Sequence, residues 1–542
     1  MKFIIPNKTI LNFLRTFPIT NRFVSKFAFI FLLIIIYSGE VRGEEGSKNE
    51  TPIIRSINLV RFNVFTDEEK IFGIKFSYLN RLHVITRKNI IEQELLFKVG
   101  DSVDLDLFRE TERNLRKQNY IGSVKIVSEP NPDGGVDITV YTRDLWTTVV
   151  GVEISRINDE NIFGLLLQEQ SLLGTGSPLS LGWNQNVDGN SWKLSHLFNR
   201  IRGTRWEFGT FARKGPAREF QYLFTLDRPL YSLDTKWSYV VQLNNSYLTI
   251  KKDTAEEFLE KSKSQRYSFS RVIGRRFIKT ISTLSLFVED SETDISQQKL
   301  REIAGFVRFR SFRFAKTTKL NKMERVEDIA LGASLGFGAA KAGAIFQGDR
   351  DFWRYTADQT LAFPSGSKTW IFQKLLYTTT LENNTNINTI WEFDLKVFSK
   401  IFSKHTLALH AFAGSRSNLD ERTDFYRLND IRGLRGFTSS DSLSGEKVFL
   451  INIEDRIFSD LKFLTLSLGG VIFIDAGNTW REDENFQISD LNYSAGFGFR
   501  WELSKSASAR ITRVDFAVPL ERNRISFKNV VISIASGQTF SL

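Results

Sequence analysis

Asn492-Tyr493-Ser494-Ala495-Gly496-Phe497-Gly498-Phe499-Arg500-Trp501-Glu502 decides the fold. Tyr493, Ala495, Phe497, Phe499 and Trp501 occupy every second position, and Ser494, Gly496, Gly498, Arg500 and Glu502 fill the gaps. Successive side chains of a strand point to opposite faces. Such a strand has one bulky apolar face and one small or charged face. A sandwich would bury the first face against a second sheet. A membrane barrel would turn it to lipid and the second face to a wet lumen.

The same period recurs upstream. Phe220, Tyr222, Phe224 and Leu226 oppose Gln221, Thr225 and Asp227, with Leu223 as the exception. Trp237, Tyr239, Val241 and Leu243 oppose Ser238, Gln242 and Asn244. From Thr142 onward, roughly 400 residues carry no helical periodicity. Composition favours the barrel: 48 Phe, 13 Tyr, 10 Trp and 35 Gly stand against 10 Pro, yet mean hydropathy is only -0.21. Lipid-facing aromatics and polar lumen residues cancel in that average. The expected fold is therefore an all-β transmembrane barrel over residues 145–542. At roughly 25 residues per strand and connection it would have about 16 antiparallel strands. The polar stretches 251–264, 290–298 and 414–447 read as loops on one rim.

The N-terminus reads as an export signal. Lys2, Lys8, Arg15, Arg22 and Lys26 precede an apolar run from Phe27 to Tyr37, then small residues around Gly43. The charged region, short apolar region and small-residue site predict a signal peptide over 1–43. The apolar run is short for a spanning helix. The formal charge of +11 falls to about +6 once this segment is set aside. Spread over the rest of the chain, that charge does not point to nucleic acid.

Residues 44–52 are a polar linker, and 53–144 alternate strand and helix signals. Ile54–Val60 reads as a strand. Thr86 is a candidate N-cap for a helix through Phe97. A second helix runs from Leu105 to Asn119, with Leu105, Phe108 and Leu115 as its apolar stripe. Ile121–Glu129 and Val136–Tyr141 form a hairpin around Asn131-Pro132-Asp133-Gly134-Gly135. The stretch between the first strand and the first helix has no clear pattern.

Signs of catalysis are sparse. The chain has no cysteine, which excludes disulfide scaffolds and Cys-based metal or redox sites. His83, His196, His405 and His410 lack metal-ligand spacing. Gly332-Ala333-Ser334-Leu335-Gly336 fits the nucleophile-elbow pattern, but no helix pattern follows Ser334, as an elbow requires. Neither an enzyme, a cofactor nor a metal is expected.

One further motif stands out: Ile431-Arg432-Gly433-Leu434-Arg435-Gly436-Phe437 in a polar run. An arginine between glycines can enter a tight space and present a planar fork to a carboxylate. Forty residues on, Phe473-Ile474-Asp475-Ala476-Gly477 puts a carboxylate inside a strand-like segment.

The β-α-α-β-β unit, with Phe97-Lys98-Val99-Gly100-Asp101 between its helices, resembles a polypeptide-transport-associated (POTRA) domain. Leu434-Arg435-Gly436-Phe437 resembles the lumenal-loop motif of the BamA/TamA outer-membrane assembly superfamily, the bacterial surface antigen barrels. Phe473–Gly477 is similar to that family's aspartate-bearing strand. Leu172-Leu173-Gly174-Thr175-Gly176 resembles its early hairpin, and Ser533–Phe540 its last strand.

The resemblance implies a single POTRA domain in the periplasm and a barrel in the outer membrane of a Gram-negative-type bacterium. The partners it implies are an unfolded or extended polypeptide, outer-membrane lipids, and periplasmic chaperones or accessory lipoproteins. Arg435, with Gly436 and Phe437, would fold into the lumen as a latch against Asp475, with Glu454 as second partner. Arg432 is a competing candidate. The first strand, about Trp146 to Ile154, and the last, about Val530 to Phe540, would meet at a gate. The sequence departs from the family in following Phe540 with Ser541-Leu542. Two other classes stay open: a passive solute porin or structural barrel with a periplasmic docking domain, and a barrel-embedded hydrolase using Ser334.

Overall fold

The computed structural model describes residues 51–541, except 72, 158–159, 187, 252–256, 294–295, 421–424, 439–442, 464, 509, 522–523 and 526–529. The signal-peptide expectation for 1–43, and all but the end of the 44–52 linker, falls outside these residues.

A three-stranded sheet opens the described chain. Val136–Asp144 lies at its centre, parallel to Ile54–Phe62 and antiparallel to Ile121–Pro130. Helices Lys88–Glu94 and Leu105–Lys117 complete the unit. Its core joins Ile54, Ile91, Phe97, Phe108, Leu115, Ile138 and Val140. Phe108, Thr111 and Leu115 are buried at three- and four-residue spacing, one face of the second helix. Leu105, expected in that stripe, is exposed at the helix start. Asp104 caps the helix, its carboxylate accepting from the Asp106 and Leu107 amides at 2.8 and 3.2 Å. Thr86 does not cap the first helix. Its amide and hydroxyl both donate to Asp144 Oδ2, at 2.6 and 2.9 Å, and the helix starts after Arg87 without a side-chain cap.

Beyond Asp144 the chain forms one large antiparallel sheet, from Thr148–Ile157 to Val531–Ser536. Its strand order follows the sequence hairpin by hairpin, and the last strand lies beside the first. The sheet has about twenty strand positions, not 16. The first six strands are only 8 to 10 residues long, so the chain uses fewer residues per strand than expected.

Residues 257–264 and 290–298 belong largely to paired strands rather than loops. Tyr247 faces Lys261, and Ser262 faces Ser291, in ladders that run through these polar stretches. Ser334 likewise sits inside the strand Glu327–Ala342, not at a strand-to-helix turn.

Burial alternates with the residue type. Phe497 and Phe499 are 52% and 56% exposed, whereas Ser494, Arg500 and Glu502 are at most 2% exposed. Among the described residues, no helix is long and apolar enough to cross a membrane.

The α+β unit is clamped to one rim of this sheet by ion pairs. Arg116 grips Asp328 with Nε and Nη2, both at 2.8 Å. Glu94 accepts from Arg200 Nε at 2.8 Å and Nη2 at 2.6 Å, and from Arg205 at 3.3 Å. Arg276 reaches both Asp104 and Asp234.

Candidate functional site

The loop carrying Arg435 turns inward on two glycines. Gly433 and Gly436 have φ of +99° and +92°, conformations that side-chain-bearing residues rarely adopt. A Cβ at Gly433 would lie 2.8 Å from Leu450 Cδ2, and one at Gly436 3.1 Å from Ser494 Cβ. Both glycines therefore permit the close approach as well as the turn. Leu434 is fully buried with Tyr426, Leu428, Val448 and Leu450, and Phe437 packs against this cluster. Arg432 remains exposed, so of the two arginines only Arg435 enters the interior.

Arg435 is 0% exposed and uses all three guanidinium nitrogens. Nε and Nη2 donate to Asp475 Oδ2 and Oδ1 at 2.8 and 2.7 Å. Nη1 donates to Glu454 Oε1 at 2.8 Å and to Thr539 Oγ1 at 3.0 Å. The guanidinium lies 3.4 Å from the Phe473 ring centroid. Asn452 Nδ2 donates to Asp475 Oδ1 and to the Gly433 carbonyl, tying carboxylate and loop together. Paired, charge-assisted hydrogen bonds of this kind are strong and directional.

Sequence reasoning missed most of the network around this pair. Arg456 Nε donates to Glu454 Oε2 at 2.8 Å, Nη1 to the Leu320 carbonyl at 2.9 Å, and Nη2 to the Phe540 carbonyl at 2.7 Å. Arg500 and Arg513 both bond Asp515 at 2.6 Å. Arg500 also reaches Gln538 Oε1, and Arg513 shares Thr539 Oγ1 with Arg435. Four guanidiniums thus face three carboxylates, Glu454, Asp475 and Asp515. The surplus positive charge is met by neutral oxygens from residues 318–326 and from the segment after the last strand. Three separate segments converge here, and Arg456 touches two of them while sharing Glu454 with the third.

The residues expected at the gate are placed differently. Trp146 precedes the first strand and forms an isolated bridge with Ser506. Ile154 lies within that strand. Val530 lies just before the last strand, which ends at Ser536. Gly537, at φ +92°, turns the chain inward, and Phe540 is buried against Phe398 and His410. Phe540 is therefore an interior residue, not part of the last strand.

The early-hairpin residues form a tight turn against the α+β unit. Gly174 accepts from the Arg87 amide at 2.9 Å, and a Cβ on Gly176 would strike the Tyr120 hydroxyl. Among the described residues, no cluster of His, Asp and Glu suits a metal ion.

No family model matches the chain, and no curated protein matches it. Among solved structures it is similar to CdiB from Escherichia coli, at TM-score 0.44 and 10% identity over 92% of each chain. CdiB from Acinetobacter baumannii follows at 0.43 and 13%, covering 90% of this chain and 74% of that one. BamA from Haemophilus ducreyi lacking POTRA domains 1–3 gives 0.36 and 11%, over 90% and 85%. All three TM-scores lie below 0.5, so the likeness adds no argument about function.

Proposed function

We propose that this protein is an outer-membrane β-barrel that inserts or translocates polypeptides, with residues 53–144 acting as one periplasmic POTRA-type domain. An extended client adds to an edge of the three-stranded sheet by backbone hydrogen bonding, a mode tolerant of sequence. It then passes to the barrel, either through the lumen or at the seam between the strands Thr148–Ile157 and Val531–Ser536. Outer-membrane lipids surround the barrel, and accessory lipoproteins or chaperones deliver the client.

The observation that carries this reading is the convergence of three separate chain segments on one buried arginine cluster. The Arg435 loop, residues 318–326 and the segment after the last strand converge on four arginines, each no more than 3% exposed. A passive solute pore keeps a water-filled lumen, whereas converging segments suit a conduit that opens for a client. The six-residue last strand and the seam beside it suit lateral opening.

The test is depletion of the protein in cells, followed by proteomics of outer-membrane and secreted fractions. Loss of a defined set of proteins supports transport. An unchanged proteome, together with steady conductance in planar bilayers, would instead make it a porin. Because the chain has no cysteine, one cysteine in each of the strands Thr148–Ile157 and Val531–Ser536, chosen from a scan of position pairs, can lock the seam on oxidation. Reversible loss of the client proteins on oxidation places the exit there.

A further inference from the structure

The chain between Phe62 and Lys88, which showed no clear sequence pattern, folds as a foot on the sheet rim. It contains a two-residue hairpin, Lys70–Ile71 with Ile74–Lys75, and the 3-10 helix Phe76–Leu82. Its inner side is firmly held. Phe65 packs on Phe76 and Trp146, Asn80 brackets the Phe65 backbone with two hydrogen bonds, and Lys505 reaches the Val64 carbonyl and Glu69.

The outer side has the opposite character. Ile74, Tyr78, Leu82 and Val84 are 68%, 57%, 75% and 51% exposed, an unusual concentration of bare apolar side chains. Lys70, Lys75, Arg81, Arg87 and Lys88 interleave with them; Asp67 lies near Lys70 and Lys75, Lys88 pairs with Glu92 at 3.5 Å, and no carboxylate occurs from residue 70 to 89. This apolar surface continues onto the sheet. Leu82 and Val84 share a cleft of about 180 Å³ with Trp146, Leu172 and Leu173, closed on its other side by Thr148, Glu169 and Ser171. Arg87 donates to the Leu173 carbonyl at 3.1 Å. Leu173 joins the strands whose outward residues Leu165 and Leu167 are exposed, beside Val150 and Val152 of the first strand.

We propose that Ile74–Val84 is a membrane foot, seated on the lipid surface beside the seam. This rests on the barrel reading above. Apolar side chains interleaved with cations, with no acid between Ile74 and Val84, fit the interface of an anionic phospholipid leaflet. Ile74, Tyr78, Leu82 and Val84 enter the headgroup–acyl boundary, and Arg81 and Lys88 face the phosphates. The foot fixes the α+β unit against the bilayer at the start of the first strand.

The cysteine-free chain allows one environment-sensitive fluorophore per variant: Leu82→Cys in the foot, Asp133→Cys on the exposed turn of the α+β unit, and Val150→Cys on the sheet. Full-length protein is reconstituted in phosphatidylethanolamine–phosphatidylglycerol vesicles with spin-labelled lipids as quenchers. The label at 82 is expected to lose fluorescence to headgroup-level quenchers, the label at 150 to acyl-chain quenchers, and the label at 133 to neither. Arg81→Glu with Lys88→Glu should relieve the quenching at 82, as should phosphatidylcholine vesicles. A label at 82 that is open to aqueous iodide and unquenched by lipid overturns the foot. So does one shielded from both, which would mean a protein segment covers it. If the label at 150 also escapes lipid quenching, the barrel reading fails first.

Discussion

Arg435 and Asp475, forty positions apart, meet side by side through two hydrogen bonds of 2.8 and 2.7 Å, with both side chains fully buried. Breaking such a pair from one side leaves an uncompensated charge, a cost of about 3–5 kcal/mol. Arg435→Asp or Asp475→Arg alone should therefore lower the incubation temperature at which the folded band is lost in semi-native gel electrophoresis. The double exchange should recover part of the loss. Recovery stays incomplete because Glu454 and Thr539, which accept from Arg435, would face a carboxylate instead. Two silent single variants would show that the pair does not brace the sheet.

Arg456 makes a separate prediction, since it links residues 318–326 to Phe540 through backbone carbonyls. Lysine carries one compact ammonium and cannot span three acceptors as a planar guanidinium does. Arg456→Lys should loosen both segments together, seen as faster amide hydrogen exchange at 318–326 and 538–541. Phe540→Ala removes a ring that is 6% exposed, at a cost of about 3–5 kcal/mol. It should accelerate exchange in the same two segments. Acceleration in only one would mean the segments are anchored independently.

Glu94 anchors the α+β unit to the sheet through Arg200 and Arg205. Arg200 holds a left-handed backbone at φ +55°, an unfavourable state for a residue with a Cβ. Glu94→Ala should strand two guanidiniums and release the unit first. Limited proteolysis should then cut within 53–144 while the sheet keeps its heat-resistant band. Equal loss of both would show that the two fold as one cooperative body.

The sequence revealed most where one physical rule acts alone. Strand alternation over 492–502 is set by the two faces of a strand, so Phe497, Phe499, Arg500 and Glu502 could be assigned before any contact was known. Strand number depends on turn length, which residue types constrain weakly, and the early strands, at 8 to 10 residues, are shorter than an average spacing implies. Arg435 and Asp475 were visible because glycines flank the arginine and an aspartate interrupts an apolar strand. Arg456, Arg500, Arg513 and Asp515 were not, because any polar residue suits an inward position and their pairing depends on distant segments. The resemblance to a last strand runs through Phe540, whereas the strand ends at Ser536. Gly537, at φ +92°, marks the bend, as glycine in a strand often does.

Glu110 gives the pH prediction. Its Oε1 accepts from the Leu233 amide at 2.6 Å, while Oε2 has no partner among the described residues. Burial pushes its pKa above the ordinary 4.5, against the opposing pull of the Leu233 amide and of Arg113 and Arg276; Asp234 adds to the rise. The folded chain therefore binds this proton more tightly than the unfolded chain. The resulting stability is fully present below about pH 4.5 and is lost as pH rises through the elevated folded value. Glu110→Gln keeps an acceptor for the Leu233 amide and cannot ionise. The variant should melt near the natural chain at pH 4 and above it at pH 7, measured by thermal unfolding of detergent-solubilised protein. A Gln variant that melts lower at pH 7 would mean that the ionised carboxylate is stabilised in place, and that Arg113 and Arg276 outweigh burial.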